Sequence, residues 1–412
     1  MPPVHLLGSL AALLWGQPRA LTLSEAVAIA EAHGPDLVEA RTAIPVAQAG
    51  IEVARQWPNP TASISVGSDD PVVFGGLDQR FPVFGQLATA IDAAEAEVRV
   101  AQGSLELKRI QLLAAVRRAY FALVAAEEAQ RLAEDRLARS RKLVEITRRK
   151  LELGTASELE TEQVDLEARR AEQARDDQLL AARAARLQLG LVVGLPEGEE
   201  IAAIDPLLPL PPAPAFAALL PRVDVHPEVV LAKRQAEAAR LRATREGAAI
   251  RPVPDVGLEA QYLDCTNPWA IPHCATALPG TSYGLGLRLT LAFDLPVASQ
   301  NRGAVHQAER EADQADTVAG LALRRRTTEA RLALESLQGA IRRSAFLTQT
   351  VVPEALRVES LSRVAYQVGR VPLVVVLQAE ADVNDVQGQA VAAAAAAQSA
   401  FADVEEAVGA AL

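Results

Sequence analysis

YGLGLRLTLAF, residues 283–293, alternates without a break. Tyr283, Leu285, Leu287, Leu289, Leu291 and Phe293 share one side, and Gly284, Gly286, Arg288, Thr290 and Ala292 share the other. A period of two makes a β-strand, because successive side chains of an extended chain leave on opposite faces. Upstream, Val256, Leu258, Ala260 and Tyr262 alternate in the same way, so 255–263 and 283–293 read as a β-hairpin. Ala62, Ile64 and Val66 alternate with Thr61, Ser63 and Ser65, which predicts a strand at about 61–67 and a weaker partner at 77–83. An apolar face over about 9–11 residues, with the polar face turned inward, is what a lipid-spanning barrel strand needs. Four such strands cannot close a barrel, and their open edges invite aggregation. Closure calls for several copies sharing one barrel. A soluble sheet packed on the chain's own helices is the competing reading.

Away from these strands the chain reads as helix. No proline occurs in 83–195, 228–251, 297–352 or 373–412, whereas six crowd into 206–221. Proline costs a helix interior ~3 kcal/mol, so the gaps mark helices and the cluster marks an extended linker, 195–222. Within the first gap Ile91, Ala94, Val98, Ala101, Leu105, Leu112 and Ala115 keep heptad spacing, and Leu143, Ile146 and Leu153 continue it. Leu159, Leu166, Leu180 and Leu187 again fall on multiples of seven. Sustained heptads mean helix against helix. Between the two runs lies KLELGTASELE, 150–160, where Gly154 stops one helix and Ser157 starts the next, with Glu160 completing a capping box. A helical hairpin over 86–194 follows, its first helix about 100 Å long at ~1.5 Å per residue.

The pattern then repeats. Pro35 matches Pro227, and Pro58 with Pro60 matches Pro252 with Pro254. FPVFGQ at 81–86 matches LPVASQ at 295–300, and Gly154 and Gly194 recur at Gly369 and Gly409 with an offset of 215. Two copies, 21–194 and 223–412, each hold a β-hairpin and a long helical hairpin, the second over 299–410.

The chain has 412 residues, 41 Lys+Arg against 52 Asp+Glu, and half of it is apolar with only three Trp, four Tyr and eight Phe. A core so poor in aromatics is built from Ala, Leu and Val on close helices. The net charge of −11 argues against a nucleic-acid binder, and the apolar half against a disordered chain. No internal run is long and apolar enough for a transmembrane helix. Residues 1–20 contain an apolar stretch, Leu6 to Trp15, that reads as a signal peptide although it lacks a basic start and a clean A-x-A exit. Cys265 and Cys274 flank a loop in the second hairpin; they read as a disulfide, with unpaired thiols or a soft-metal site with His273 as the alternatives. The remaining histidines read as solvated or capping. No catalytic triad, phosphate loop or metal motif occurs, so no enzyme and no cofactor are expected.

The duplicated helices, a hairpin per copy, and the tip sequences K-x-x-x-G-x-x-S-x-L-E (Lys150, Gly154, Ser157, Leu159, Glu160) and Y-x-x-G (Tyr366, Gly369) resemble the TolC-type outer-membrane efflux channels over roughly residues 21–410. W-P-N-P at 57–60 and L-P-V-x-x-Q-N-R-G at 295–303 look most like the branch serving cobalt–zinc–cadmium pumps. The resemblance implies a mainly α protein with a membrane β-barrel portion: a homotrimer whose strands form one barrel in outer-membrane lipid and whose helices form a periplasmic tunnel. It implies docking of a periplasmic adaptor, linked to an inner-membrane pump, at Lys150, Gly154, Ser157, Leu159 and Gly369. It implies a gate at Tyr366 and Glu160, with Arg370 and Gln378 as further candidates. Where the family carries paired acids, this chain has Val375 and Gln378, the nearest acids being Glu380 and Asp382, so an acidic constriction is not implied. Pro353 predicts a kink, a pivot for iris-like opening. The function expected is a passive exit duct for small solutes, heavy-metal cations among them. The alternatives are a protein-secretion duct and a soluble periplasmic coiled-coil scaffold or adaptor.

Overall fold

The structure is a computed structural model that describes residues 19–67, 73–196, 199, 201–264, 283–294 and 301–410. Most of the expected leader, the loop with Cys265, His273 and Cys274, and 295–300 lie outside the described residues. The chain opens with strand β1 (Arg19–Leu21), helices α1 (Leu23–His33) and α2 (Pro35–Arg55), and strands β2 (Thr61–Val66) and β3 (Val73–Arg80). Helices α3 (Gln86–Glu152) and α4 (Glu158–Val193), strand β4 (Ile201–Ala203) and helices α5 (Phe216–Asp224) and α6 (Pro227–Ala248) follow. Strands β5 (Pro254–Asp264) and β6 (Tyr283–Phe293) precede helices α7 (Arg302–Phe346), α8 (Val352–Gln367) and α9 (Leu373–Val408). Contacts group the chain into two compact units, one of Arg41–Ser104 and Glu228–Ala322, the other of Met1–Ala40, Leu105–Pro227 and Leu323–Leu412.

The first long helix, α3, is 67 residues without interruption. Helices α4 and α9 have 36 residues each, and both end on a left-handed glycine, Gly194 (φ 80°) and Gly409 (φ 74°). Gly154 (φ 69°) and Gly369 (φ 74°) turn the chain between the helices of each hairpin. Other residues enter that region at a cost, which explains why glycine recurs at matching places. The second copy departs from the first in its long helical run. Between α7 and α8 lies a π turn, Leu347–Val351. Pro353 follows it, with no N–H to donate and a ring that crowds the carbonyl four residues back; the wider turn relieves that crowding.

Strands β2, β3, β5 and β6 form one antiparallel sheet in that order. The register sets Leu77 opposite Leu258, and Leu258 opposite Leu289, so the apolar sides of all four strands coincide. Strand β3 runs earlier than the 77–83 expected from sequence. Gly75 and Gly76 lack any local strand preference, but they are paired on both sides, with Ile64 and Ser63 in β2 and with Ala260 and Glu259 in β5. Ladder partners outweigh propensity here. Pro82, which cannot donate, lies just beyond the strand's end.

In the helical unit, Tyr120 is buried at the centre of the main apolar cluster. Its hydroxyl donates to the Leu21 carbonyl at 2.8 Å and accepts from the amides of Ile204 (3.2 Å) and Asp205 (3.1 Å). Burial pushes the phenol pKa up to about 12. That side chain pins the parallel pair β1–β4. Two expectations change accordingly. Arg19 and Ala20, expected in the leader, are paired in β1, and the linker at 195–222 is not all extended, since it holds β4 and most of α5. Of the two readings of His226, solvated or capping, the structure favours the second: the ring is buried and its Nε2 lies 2.9 Å from the Glu406 carbonyl in the last turn of α9.

Candidate functional site

The sheet presents its faces in the reverse of the order a water-soluble sheet adopts. Ile64, Leu287 and Leu289 are 83%, 72% and 75% exposed, whereas Gln261, on the other face, is 7% exposed. The polar face holds Arg288 within 3.6 Å of Glu259 and Arg80 within 3.5 Å of Asp255. At its middle, a Cβ added to Gly257 would meet the Asp78 carboxylate and the Thr290 hydroxyl at 2.2 and 2.3 Å, so any larger residue would have to push both side chains aside. Among the described residues, edge strands β2 and β6 each pair on one side only. An apolar exposed face with a charged inner face suits hydrocarbon outside and water inside.

The other candidate region is the pair of helical tips. At the first, the Lys150 carbonyl accepts from the amides of Thr155 (2.8 Å) and Ala156 (3.2 Å). Ser157 and Glu160 form the expected capping box, Ser157 N donating to the Glu160 carboxylate at 2.9 Å and Glu160 N to the Ser157 hydroxyl at 3.2 Å. At the second tip, Arg370 N donates to the Ala365 carbonyl at 2.8 Å, the same bond one repeat later. Nothing lies within 4 Å of a Cβ built on Gly154 or Gly369, so both tips are open and glycine serves only its dihedral angle. Gly154→Val and Gly369→Val are each expected to cost about 1–2 kcal/mol locally. Amide exchange should accelerate at the altered tip while far-UV circular dichroism stays unchanged; unaltered exchange would show that the tip tolerates another turn.

Tyr366 is buried in a cluster with Leu143, Val164, Leu373 and Val376, which draws on both hairpins. Burial pushes its phenol pKa up; Thr147 opposes the rise and the Glu160 charge adds to it. Thr147 lies beside the ring hydroxyl, yet neither hydroxyl completes a hydrogen bond among the described residues. Tyr366 and Glu160 are therefore neighbours electrostatically, but the Glu160 carboxylate is engaged by Ser157. Lys150 is the residue that reaches Tyr366: its Nζ donates to the Tyr366 carbonyl at 2.7 Å and lies 3.8 Å from the ring centroid. Arg370 and Leu159 are exposed, and Gln378 donates to Asp382 at 2.8 Å on the exposed side of α9.

One cluster was not singled out from sequence. Arg363 donates to Glu359 and, at 2.9 Å, to Glu380, and both carboxylates are buried. The spacing of Glu359 and Arg363 four apart is visible in the sequence, but their burial against α9 is not. Burial raises the Glu380 pKa, with Arg363 pulling the other way. Among the described residues, no group of three His, Cys, Asp or Glu could hold a metal ion, and no helix is long and apolar enough to cross a membrane.

The described residues combine two long helical hairpins with a four-stranded sheet whose apolar face is exposed. Residues 26–194 match the family described as outer membrane efflux protein. No curated protein matches the sequence. Among solved structures, the chain is similar to CusC (18% identity, 94% of this chain and 92% of that one, TM-score 0.75). It is also similar to VceC from Vibrio cholerae (19%, 94% and 96%, TM-score 0.74) and to the CmeC outer membrane channel from Campylobacter jejuni (14%, 94% and 85%, TM-score 0.76). At these identities the likeness establishes the fold.

Proposed function

We propose that three copies of this chain join edge β2 of one sheet to edge β6 of the next, closing one barrel that serves as a passive exit duct for small solutes. The observation that carries this reading is the exposed apolar face of the sheet, set against a polar face that pairs Arg288 with Glu259 and Arg80 with Asp255 and buries Gln261. A soluble scaffold would bury that face against its own helices. In this reading the helices continue the duct into the periplasm, and the open tips around Gly154, Leu159 and Gly369 meet an adaptor that couples the duct to an inner-membrane pump.

The test is the mass of the purified protein in detergent, together with its conductance in planar bilayers. A trimer that conducts is expected; a stable monomer without detergent would overturn the proposal. Heavy-metal cations are a proposed cargo, resting on the W-P-N-P motif at 57–60. A deletion strain challenged with zinc, cadmium, copper and hydrophobic drugs is expected to become sensitive to the metals alone, and drug sensitivity without metal sensitivity would reassign the cargo.

A further inference from the structure

At the foot of the sheet, where α2 leads into β2 and β3 into α3, lies a cavity of about 630 Å³. Its floor is apolar: Gly50, Val53 and Ala54 from α2, with Leu87, Ala90 and Ala94 from α3. Val53 is 67% exposed, and a Cβ built on Gly50 would meet nothing within 4 Å, so the floor is open as well as apolar. Three charged residues also line it. Arg242 and Arg245, three apart on α6 and so neighbours on its surface, share the cavity with Glu97 of α3. The Arg242 Nε and Nη2 both donate to one Glu97 oxygen, the Nε at 2.7 Å, so that acid is already engaged. Arg245 has no such partner. Among the described residues the one carboxylate within 4 Å of it is Glu246, at 3.8 Å, too far for a hydrogen bond.

Two arginines against one acid leave a surplus positive charge, and it sits on Arg245. The volume falls within the ~300–1,000 Å³ of small-molecule sites. An apolar floor beside a guanidinium with donors to offer matches a molecule whose two ends differ in the same way. We infer that this cavity binds an amphipathic organic anion, its apolar body on the α2–α3 floor and its carboxylate or sulfonate on Arg245. The site goes beyond the duct reading, on which only its functional consequence rests. Strands β2, β3 and β5 are consecutive in the sheet, and the helices that adjoin them, α2, α3 and α6, all reach this one cavity. A hollow touched by three consecutive staves lies on the concave side of a closed ring, so in the proposed barrel it faces the water-filled passage. An organic anion would pause there on its way out.

The experiment is equilibrium dialysis of naphthalene-2-sulfonate against the full chain in lipid nanodiscs, with empty nanodiscs as the blank. Naphthalene-2-sulfonamide serves as the neutral probe of the same shape. The wild type is expected to hold the sulfonate about tenfold more tightly than the sulfonamide, the size of one charged hydrogen bond. Arg245→Gln should bring the sulfonate down to the level of the sulfonamide. Gly50→Leu, which adds bulk where a Cβ has room, should weaken both probes. Arg55→Gln removes an exposed arginine of α2 that does not line the cavity, and should match the wild type. No sulfonate binding by the wild type, equal binding of the two probes, or sulfonate binding that survives both Arg245→Gln and Gly50→Leu would overturn the site. In planar bilayers the sulfonate should lower the conductance of the wild type and not that of Arg245→Gln; sulfonate that binds without lowering the current would overturn the cavity's place in the passage. A wild type that conducts nothing would fail the duct reading, and the dialysis would still decide the site.

Discussion

Leu287→Arg is expected to remove the protein from the outer membrane. Leu287 is 72% exposed at the middle of β6, opposite Ala260 and between Leu285 and Leu289 on the apolar face. A guanidinium placed toward hydrocarbon there costs about 2–4 kcal/mol per strand. A shared barrel carries the substitution once per copy, which multiplies the penalty. Ser65→Arg is the control: Ser65 alternates with Ile64 and Val66, on the face shared with Arg288 and Glu259, and its charge would stand in water. Fractionation of membranes from cells expressing each variant is expected to find Ser65→Arg at wild-type level and Leu287→Arg depleted. The opposite result would mean that the faces of the sheet are assigned the wrong way round.

Arg363→Met is expected to be the most destabilising single change in the helical part. It leaves the buried carboxylates of Glu359 and Glu380 without the guanidinium that both accept from. Removing one partner of a buried pair costs about 3–5 kcal/mol. Thermal unfolding in detergent would show the loss, and a variant within a degree of the wild type would contradict the shared pairing. Glu380→Gln should be far milder, because Glu359 and Arg363 still balance each other. The same cluster carries a pH dependence. Burial raises the Glu380 pKa, so the folded hairpin binds that proton more tightly than the unfolded chain does. Its contribution to stability is complete below the ordinary carboxylate range and is lost as pH rises through the raised value. The groups facing it are Arg363 and Glu359 from α8 and Arg139 from α3. The melting temperature is expected to rise on mild acidification, and the Glu380→Gln variant to lose that part of the rise. An equal rise in the variant would place the titrating group elsewhere.

The sequence makes local rules visible and long-range ones invisible. Strand β6 matches the run 283–293, because strict alternation needs nothing beyond neighbouring residues. The turn at Gly154 and the Ser157–Glu160 cap are equally local. Strand β3 shifts from its expected place because Gly75 and Gly76 become strand only through partners elsewhere in the chain. The contact from Lys150 to Tyr366 joins residues 216 apart, and no spacing rule connects them. Pro353 announces a disturbance in its helix, but whether a proline bends, breaks or widens a helix depends on what surrounds it. Here it is accompanied by a π turn.

The π turn between α7 and α8 has no counterpart in α3, which runs unbroken for 67 residues. A half-length ancestor with one helical pair per chain would have had to close its ring from twice as many identical pieces. Every piece would then have carried the same bend or none. Joining two halves in tandem lets one long helix stay uninterrupted while its counterpart carries a π turn and a proline. In the barrel proposed above, the two kinds of helix would alternate around the ring.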